Sequence, residues 1–354
     1  MLTERTLSQS NKLGRREEIA NLISLVDAKD TPFSSMARKG AQPQQTLFRW
    51  QVDALPDPKT DGTIDGTDVS SSDYENYVKT DTRQYRNELA AYIQIFRRSV
   101  RVSKLTQSSV TNIAGVKDEL ANNVAKGMTM LKRDMEKTFC SANVSQAEKT
   151  VNGTVVPYKT RGLDKWLSKA ADKDTNESTT LVPDEFCLPY NQNDETSSSL
   201  ATGSVNDLTE TTVQNVLTSI YKQTGQFKSY DALLGPILKR AFTNLTYTTR
   251  SSGSQETTVA VRQFTRDASE ATYTASIDVF EGDFGSLRLH PSLFLKNHTV
   301  GYVIPFDLVE IRYGGNIAEV TNLPDYGGGP ARLIEAVAGL CIHNPLGFGK
   351  FDLT

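Results

Sequence analysis

A chain of 354 residues, 38% hydrophobic and 23% charged, has enough apolar material for a sizeable core and the composition of a soluble globular protein. Its net charge of −3 disfavours a sequence-independent nucleic-acid binder, which would be basic. Three scattered cysteines, Cys140, Cys187 and Cys341, exclude a disulfide framework and a Cys-rich zinc site, and suit buried or inert thiols in a reducing cytosol.

Along the chain, residues 1 to 15 are polar and carry no apolar segment of a signal peptide. REEIANLISLVD, 16 to 27, has a helical apolar pattern that Thr31-Pro32 ends. TLFRWQVDAL, 46 to 55, alternates, with Phe48, Trp50 and Val52 on one face, and reads as a strand. NELAAYIQIFRRSVRVS, 87 to 103, reads as a second strand with Arg97, Arg98 and Arg101 exposed. Between them, 57 to 86 is rich in charge and poor in apolar side chains, so it cannot bury a core of its own. The arrangement is a long projecting hairpin, and a lone hairpin is marginal in water. It therefore needs something to rest on, and a second copy of the chain would serve.

A long helix follows over 112 to 140, with Asn112 as its cap. Val116, Leu120, Val124, Met128, Leu131, Met135 and Phe139 recur at steps of three and four and define one narrow apolar stripe. Residues 168 to 206 read mostly as polar loop. From 209 the pattern becomes compact α/β. Thr209 caps a helix through Tyr221, Asp231 to Leu234 is a strand, and Pro236 opens another helix. The strands YTASIDVF, SLRLH, GYVI and LVEIRY come next, and ARLIEAVAGLCIHNP reads as a final strand pair. No apolar run is long enough to span a membrane.

Motifs that carry chemistry fail on inspection. DPKTDGTIDGTD has the length of a calcium loop, but Lys59 stands where an oxygen ligand belongs. Asp283-Phe284-Gly285 lacks the remaining kinase elements and reads as a turn between strands. GFGK, 347 to 350, has Asn344 and Phe351 where a phosphate loop needs Gly and Ser or Thr. His290, His298 and His343 are not fixed on a common face by their spacing. No catalytic residue, cofactor or metal site is expected.

The order of parts, with KDTPFSSMARKG, FRWQVDAL, IFRRSVRVS, MLKRDMEKTF, VFEGDFGSLRLHPSLFL, VGYVIPFDLVEIRY and a last strand ending in HNP, resembles the tailed-bacteriophage major capsid proteins of the Hong Kong 97-like fold. The resemblance spreads over roughly residues 20 to 350, and only 168 to 206 finds no counterpart. It implies an α+β fold with an N-terminal arm (1 to 45), an extended β-hairpin loop (46 to 103) and a peripheral domain (104 to 208) containing the spine helix. An axial domain (209 to 330) and C-terminal strands returning to the peripheral domain (331 to 354) complete it. Implied partners are other copies in hexamers and pentamers, a portal at one vertex, and packaged double-stranded DNA contacted non-specifically, with no membrane. Scaffolding and cement or decoration proteins stay open, as does a non-enzymatic tail or adhesion role. Within the extended loop, Tyr74, Tyr77, Val78, Arg83 and Arg86 are the expected intersubunit contacts.

Overall fold

The computed structural model describes residues 30–53, 60, 62–70, 87–108, 118–169, 181–183, 186–187, 198–245, 249–252, 255–258, 264–266, 271–273 and 278–353. The helix expected at 16 to 27, the cap at Asn112 and the stripe residue Val116 lie outside these residues.

Pro32 opens a helix rather than merely ending one: α1 is Pro32–Met36, with its φ preset by the proline ring. The two-residue β1, Arg38–Lys39, follows. β2 is Leu47–Val52, with Phe48, Trp50 and Val52 buried as their alternation requires. The single strand expected over 87 to 103 divides at Ile93 into β3, Asn87–Tyr92, and β4, Gln94–Arg101. β3 pairs antiparallel with β2, and β4 joins a different sheet. A short α2, Lys104–Ser108, leads to the spine helix α3, Glu119–Phe139. Asp118 caps α3 by accepting the Ala121 N–H, and Glu119 and Lys137 complement its dipole at either end.

β5, Lys149–Val151, and β6, Thr154–Val156, form a hairpin turned at Asn152 (φ 49°) and Gly153 (φ 77°). Both central residues adopt positive φ, as the hairpin turn favoured by Asn-Gly demands. α4 is Leu163–Trp166. The region expected as polar loop is not uniformly so. Val182, Phe186 and Cys187 are buried, and β7, Leu200–Gly203, is a strand. Thr209 caps α5, Glu210–Thr224, which ends on Gly225 at φ 63°. β8, Lys228–Leu234, and α6, Pro236–Asn244, fall where expected.

Two short antiparallel pairs follow: β9, Thr249–Ser252, with β10, Gln255–Thr258, and β11, Phe264–Arg266, with β12, Ala271–Tyr273. β13, Val279–Gly282, turns at Asp283-Phe284 into β14, Gly285–Pro291, so the kinase-like triplet is a hairpin turn. β15 is Val300–Ile304, β16 Val309–Tyr313 and β17 Glu319–Leu323. The final strand pair is instead one strand of 12 residues, β18, Ala331–Ile342. β19, Gly349–Leu353, lies within the C-terminal strands expected over 331 to 354.

Two larger sheets organise the chain. The five-stranded sheet runs β1-β16-β18-β17, with β4 on the other side of β18. The six-stranded sheet runs β13-β14-β8-β15-β19-β7. The last 24 residues therefore do not return to one sheet: β18 lies in the first and β19 in the second.

Each sheet has its own core. α3 covers β4 and β18, placing Leu131, Met135 and Phe139 among Phe96, Ile334 and Leu340. α5 and α6 contribute Val213, Val216, Leu217, Ile220, Leu238 and Phe242 to the second core. The strands between the cores serve both. On β8, Leu233 belongs to the first core and Ala232 and Leu234 to the second; on β15, Tyr302 and Ile304 belong to the first and Val303 to the second. Alternate side chains leave opposite faces of a strand, so β15 is buried throughout.

The spine stripe follows the true helical period. Leu120, Leu131, Met135 and Phe139 are buried and Val124 is half-buried, but Met128 is exposed. Steps of four each overshoot a 3.6-residue turn by about 40°, so the face drifts back to Gly127. A Cβ there would collide with Ile334 and press on Val100, so the glycine admits the sheet's side chains.

Candidate assembly surface and its anchors

Phe48 and Trp50 stack at 5.7 Å, Trp50 meets Trp166 at 5.7 Å, and the Trp50 Nε1–H donates to the His343 carbonyl at 3.2 Å. Arg49 and Glu88 pair across the outer face of the same hairpin. The hairpin base is thus fixed to the body. Residues 62–70 are all exposed, with Ile64 80% and Val69 67% exposed around a turn at Asp65-Gly66. The expected contacts Tyr74, Tyr77, Val78, Arg83 and Arg86 lie outside the described residues, as do Asp57, Lys59 and Asp61 of the calcium-like loop.

Behind this projection, Glu136 does what α1 lacks in a cap. Its Oε1 accepts the Phe33 N–H and its Oε2 the Ser34 N–H, both at 2.8 Å. The carboxylate is fully buried. Burial raises its pKa against the opposing pull of the Ser34 and Phe33 hydrogen bonds. Phe33 packs beside Phe139 and Phe306, so the segment at 31 to 37 is pinned to the spine helix.

Arg98, expected to be exposed, is half-buried and makes a two-pronged contact with Asp134 of α3 at 2.6 and 2.7 Å. Arg97 pairs with Glu335 at 2.6 Å. The basic stretch of β4 therefore ties strand, helix and sheet together. The lysine of GFGK has a comparable role. Lys350 is buried and sits 2.8 Å from Asp164 Oδ1, which also accepts the Tyr302 hydroxyl at 2.9 Å. Lys296 lies 3.4 Å from Oδ2, and Asp352 lies 3.2 Å from Lys350. Burial pushes Asp164 upward, but Lys350, Lys296 and Tyr302 outweigh it and hold the carboxylate below its usual range. This cluster joins α4 to β15 and β19, across the boundary between the two cores.

The remaining surface carries isolated apolar side chains. Tyr326 is 89% exposed and Leu105 68% exposed, on segments joined by the Lys104–Asp325 pair at 3.3 Å. Val151 and Val155 are exposed on the β5–β6 hairpin. The three cysteines are free and buried, as expected. His290 pairs with Asp231 at 3.0 Å, apart from His343, which lies beside Glu310 and Cys341. That last grouping was missed, because it depends on strand register.

A projecting hairpin, a helix lying across one sheet and a second sheet with its own helices are the arrangement of the Hong Kong 97-like capsid fold. Over 96% of each chain the structure is similar to the capsid subunit of cyanophage A-1(L), with a TM-score of 0.58 at 10% identity. It is similar over 100% of both chains to the capsid of a native GTA particle, with a TM-score of 0.53 at 12% identity. The chain matches the family described as SU10 major capsid protein over residues 3–354, and it belongs to that family. It is also similar to the major capsid protein of Escherichia phage Phieco32, 35% identical over 130 residues, covering 36% of this chain and 33% of that protein. The chain thus aligns with about a third of the length of that curated relative.

Proposed function

We propose that this protein assembles with copies of itself into the hexamers and pentamers of an icosahedral phage head that encloses double-stranded DNA. The observation that carries the reading is the hairpin of β2 and β3. Its base is locked by Phe48, Trp50 and Leu89, while residues 62–70 present Ile64 and Val69 to solvent. Exposed apolar side chains on a fixed projection are suited to burial against a neighbour. Membership of a major capsid family and the likeness to capsid subunits support the same reading.

In this assignment residues 1 to 45 form the N-terminal arm. The extended loop spans 46 to 103; β2 and β3 form its paired base, and its last strand, β4, lies in the five-stranded sheet. That sheet, with α3 across it, is the peripheral domain; the six-stranded sheet, with α5 and α6, is the axial domain. Tyr74, Tyr77, Val78, Arg83 and Arg86 remain the proposed contacts of the loop. The role is structural, at the virion shell, with assembly in the host cytoplasm. A portal at one vertex follows from packaging. DNA is contacted non-specifically, as a net charge of −3 suits a shell better than a DNA clamp.

Sedimentation and electron microscopy of the expressed protein test the proposal. Closed shells or capsomer-sized rings are expected. A monodisperse monomer at every concentration and salt would overturn it and return the chain to a non-assembling structural role.

A further inference from the structure

We propose that Glu310, Cys341 and His343 form a zinc site at the junction of arm, hairpin base and five-stranded sheet. Glu310 on β16 and Cys341 on β18 are paired residues in the antiparallel register, so their side chains rise from the same face. His343 stands two residues beyond Cys341, and its N–H donates to the Leu308 carbonyl, extending the strand alignment. One ligand atom from each lies within 4.8 Å of the other two. Thiolate, imidazole and carboxylate are the groups that zinc binds, at bond lengths of about 2.0–2.3 Å.

The surroundings are those of a built cradle. Cys341 is fully buried, and Trp50 holds the His343 carbonyl. The Gly40 backbone approaches so closely that a Cβ there would sit 2.8 Å from Glu310 Oε2. His343 Nε2 lies 3.0 Å from Glu310 Oε1, yet this buried atom makes no aligned hydrogen bond. An ion bound by both would give this nitrogen a partner.

Two guanidiniums stand nearby, and each has a place. Arg38 reaches Oε1 at 3.4 Å from a half-exposed position and can swing into water. Arg312 is held over the Phe48 ring at 5.1 Å and lies 3.8 Å from Oε2, the oxygen a metal-bound carboxylate would turn outward. It would then serve as the outer partner that orients the ligand. Thiolate and carboxylate together neutralise the double positive charge. The thiol must lose its proton to ligate the metal. Binding therefore releases the thiol proton to solvent.

The test uses full-length protein, stripped of metal with a chelator and titrated with Co²⁺ as the spectroscopic probe. The expected result is one equivalent bound with a thiolate-to-cobalt charge-transfer band and a tetrahedral visible spectrum, both abolished by Zn²⁺. The Cys140→Ala/Cys187→Ala double variant should keep the band. Cys341→Ser should lose it, and His343→Ala and Glu310→Gln should weaken cobalt binding by at least the roughly 10–100-fold that loss of an outer partner costs. If Cys341→Ser does not fold, the partly exposed His343 and Glu310 variants decide the matter. No charge-transfer band in the parent protein, or a band unchanged in the His343 and Glu310 variants, overturns the site.

Discussion

Glu136 holds the segment at 31 to 37 with two hydrogen bonds that a neutral amide cannot both replace. In Glu136→Gln one N–H of Phe33 or Ser34 faces an NH₂ group, and leaving a buried donor unpaired costs about 1–3 kcal/mol. Chemical denaturation of unassembled subunits should register that loss at neutral pH. The same carboxyl sets a sign for pH dependence. Its folded pKa is raised above the ordinary 4.5, so the folded state holds the proton more tightly, and stability should fall as pH rises from 4.5 through the raised value. The Gln variant should lack that slope. Asp164 behaves oppositely. Its folded pKa is lowered from 3.8, so its contribution is present above 3.8 and lost as pH falls through the lowered value. Lys350→Met strips the buried carboxylate of its nearest cation and should cost about 3–5 kcal/mol. Adding Asp164→Leu should recover much of that loss, because a buried ion pair replaced by apolar groups is often near neutral. A double variant no more stable than Lys350→Met would mean that the pair does not act as a unit.

At the scale of elements, the spine helix gives the sharpest contrast. Leu131 is fully buried between α3 and the sheet, and Lys132 beside it is exposed. Leu131→Ala should lower subunit stability by about 2–5 kcal/mol, and Lys132→Ala should change it by no more than about 0.5 kcal/mol; thermal melting of the two variants checks this. Much of this level is legible in the sequence. The alternation of Phe48, Trp50 and Val52 gives β2, Thr209 and Pro236 give the starts of α5 and α6, and Asp283-Phe284 reads as a turn. Legibility fails where tertiary contact decides. Met128 continues a run of four-residue steps, but the sheet approaches the helix at Gly127. The stretch ARLIEAVAGLCIHNP reads as a strand pair, with Gly339 inside it. In the structure its missing side chain admits the Phe48 ring, to which an added Cβ would come within 2.7 Å, and β18 runs straight through. The break at Ile93 could not be read because β3 and β4 follow one another directly in the sequence and what separates them is their pairing partners. The grouping of Glu310 with Cys341 and His343 needed a register that one chain's periodicity does not specify.

For the whole molecule, assembly should change the reactivity of the hairpin tip. The native thiols are all buried, so Ile64→Cys introduces a single exposed one. Maleimide should label it rapidly in free subunits and much more slowly in shells, with mass spectrometry of both forms as the measurement. Equal labelling would mean that the tip makes no intersubunit contact, even in a protein that forms shells. The two cores invite a further conclusion. Because β8 and β15 give alternate side chains to each, neither lobe can open its interior without removing a wall of the other. Amide protons of Leu233, Tyr302 and Val303 should therefore exchange with deuterium only through global opening, at one common free energy. A shell built from such units would meet outward pressure by shifts at the seams between subunits, while each subunit stayed a single rigid tile.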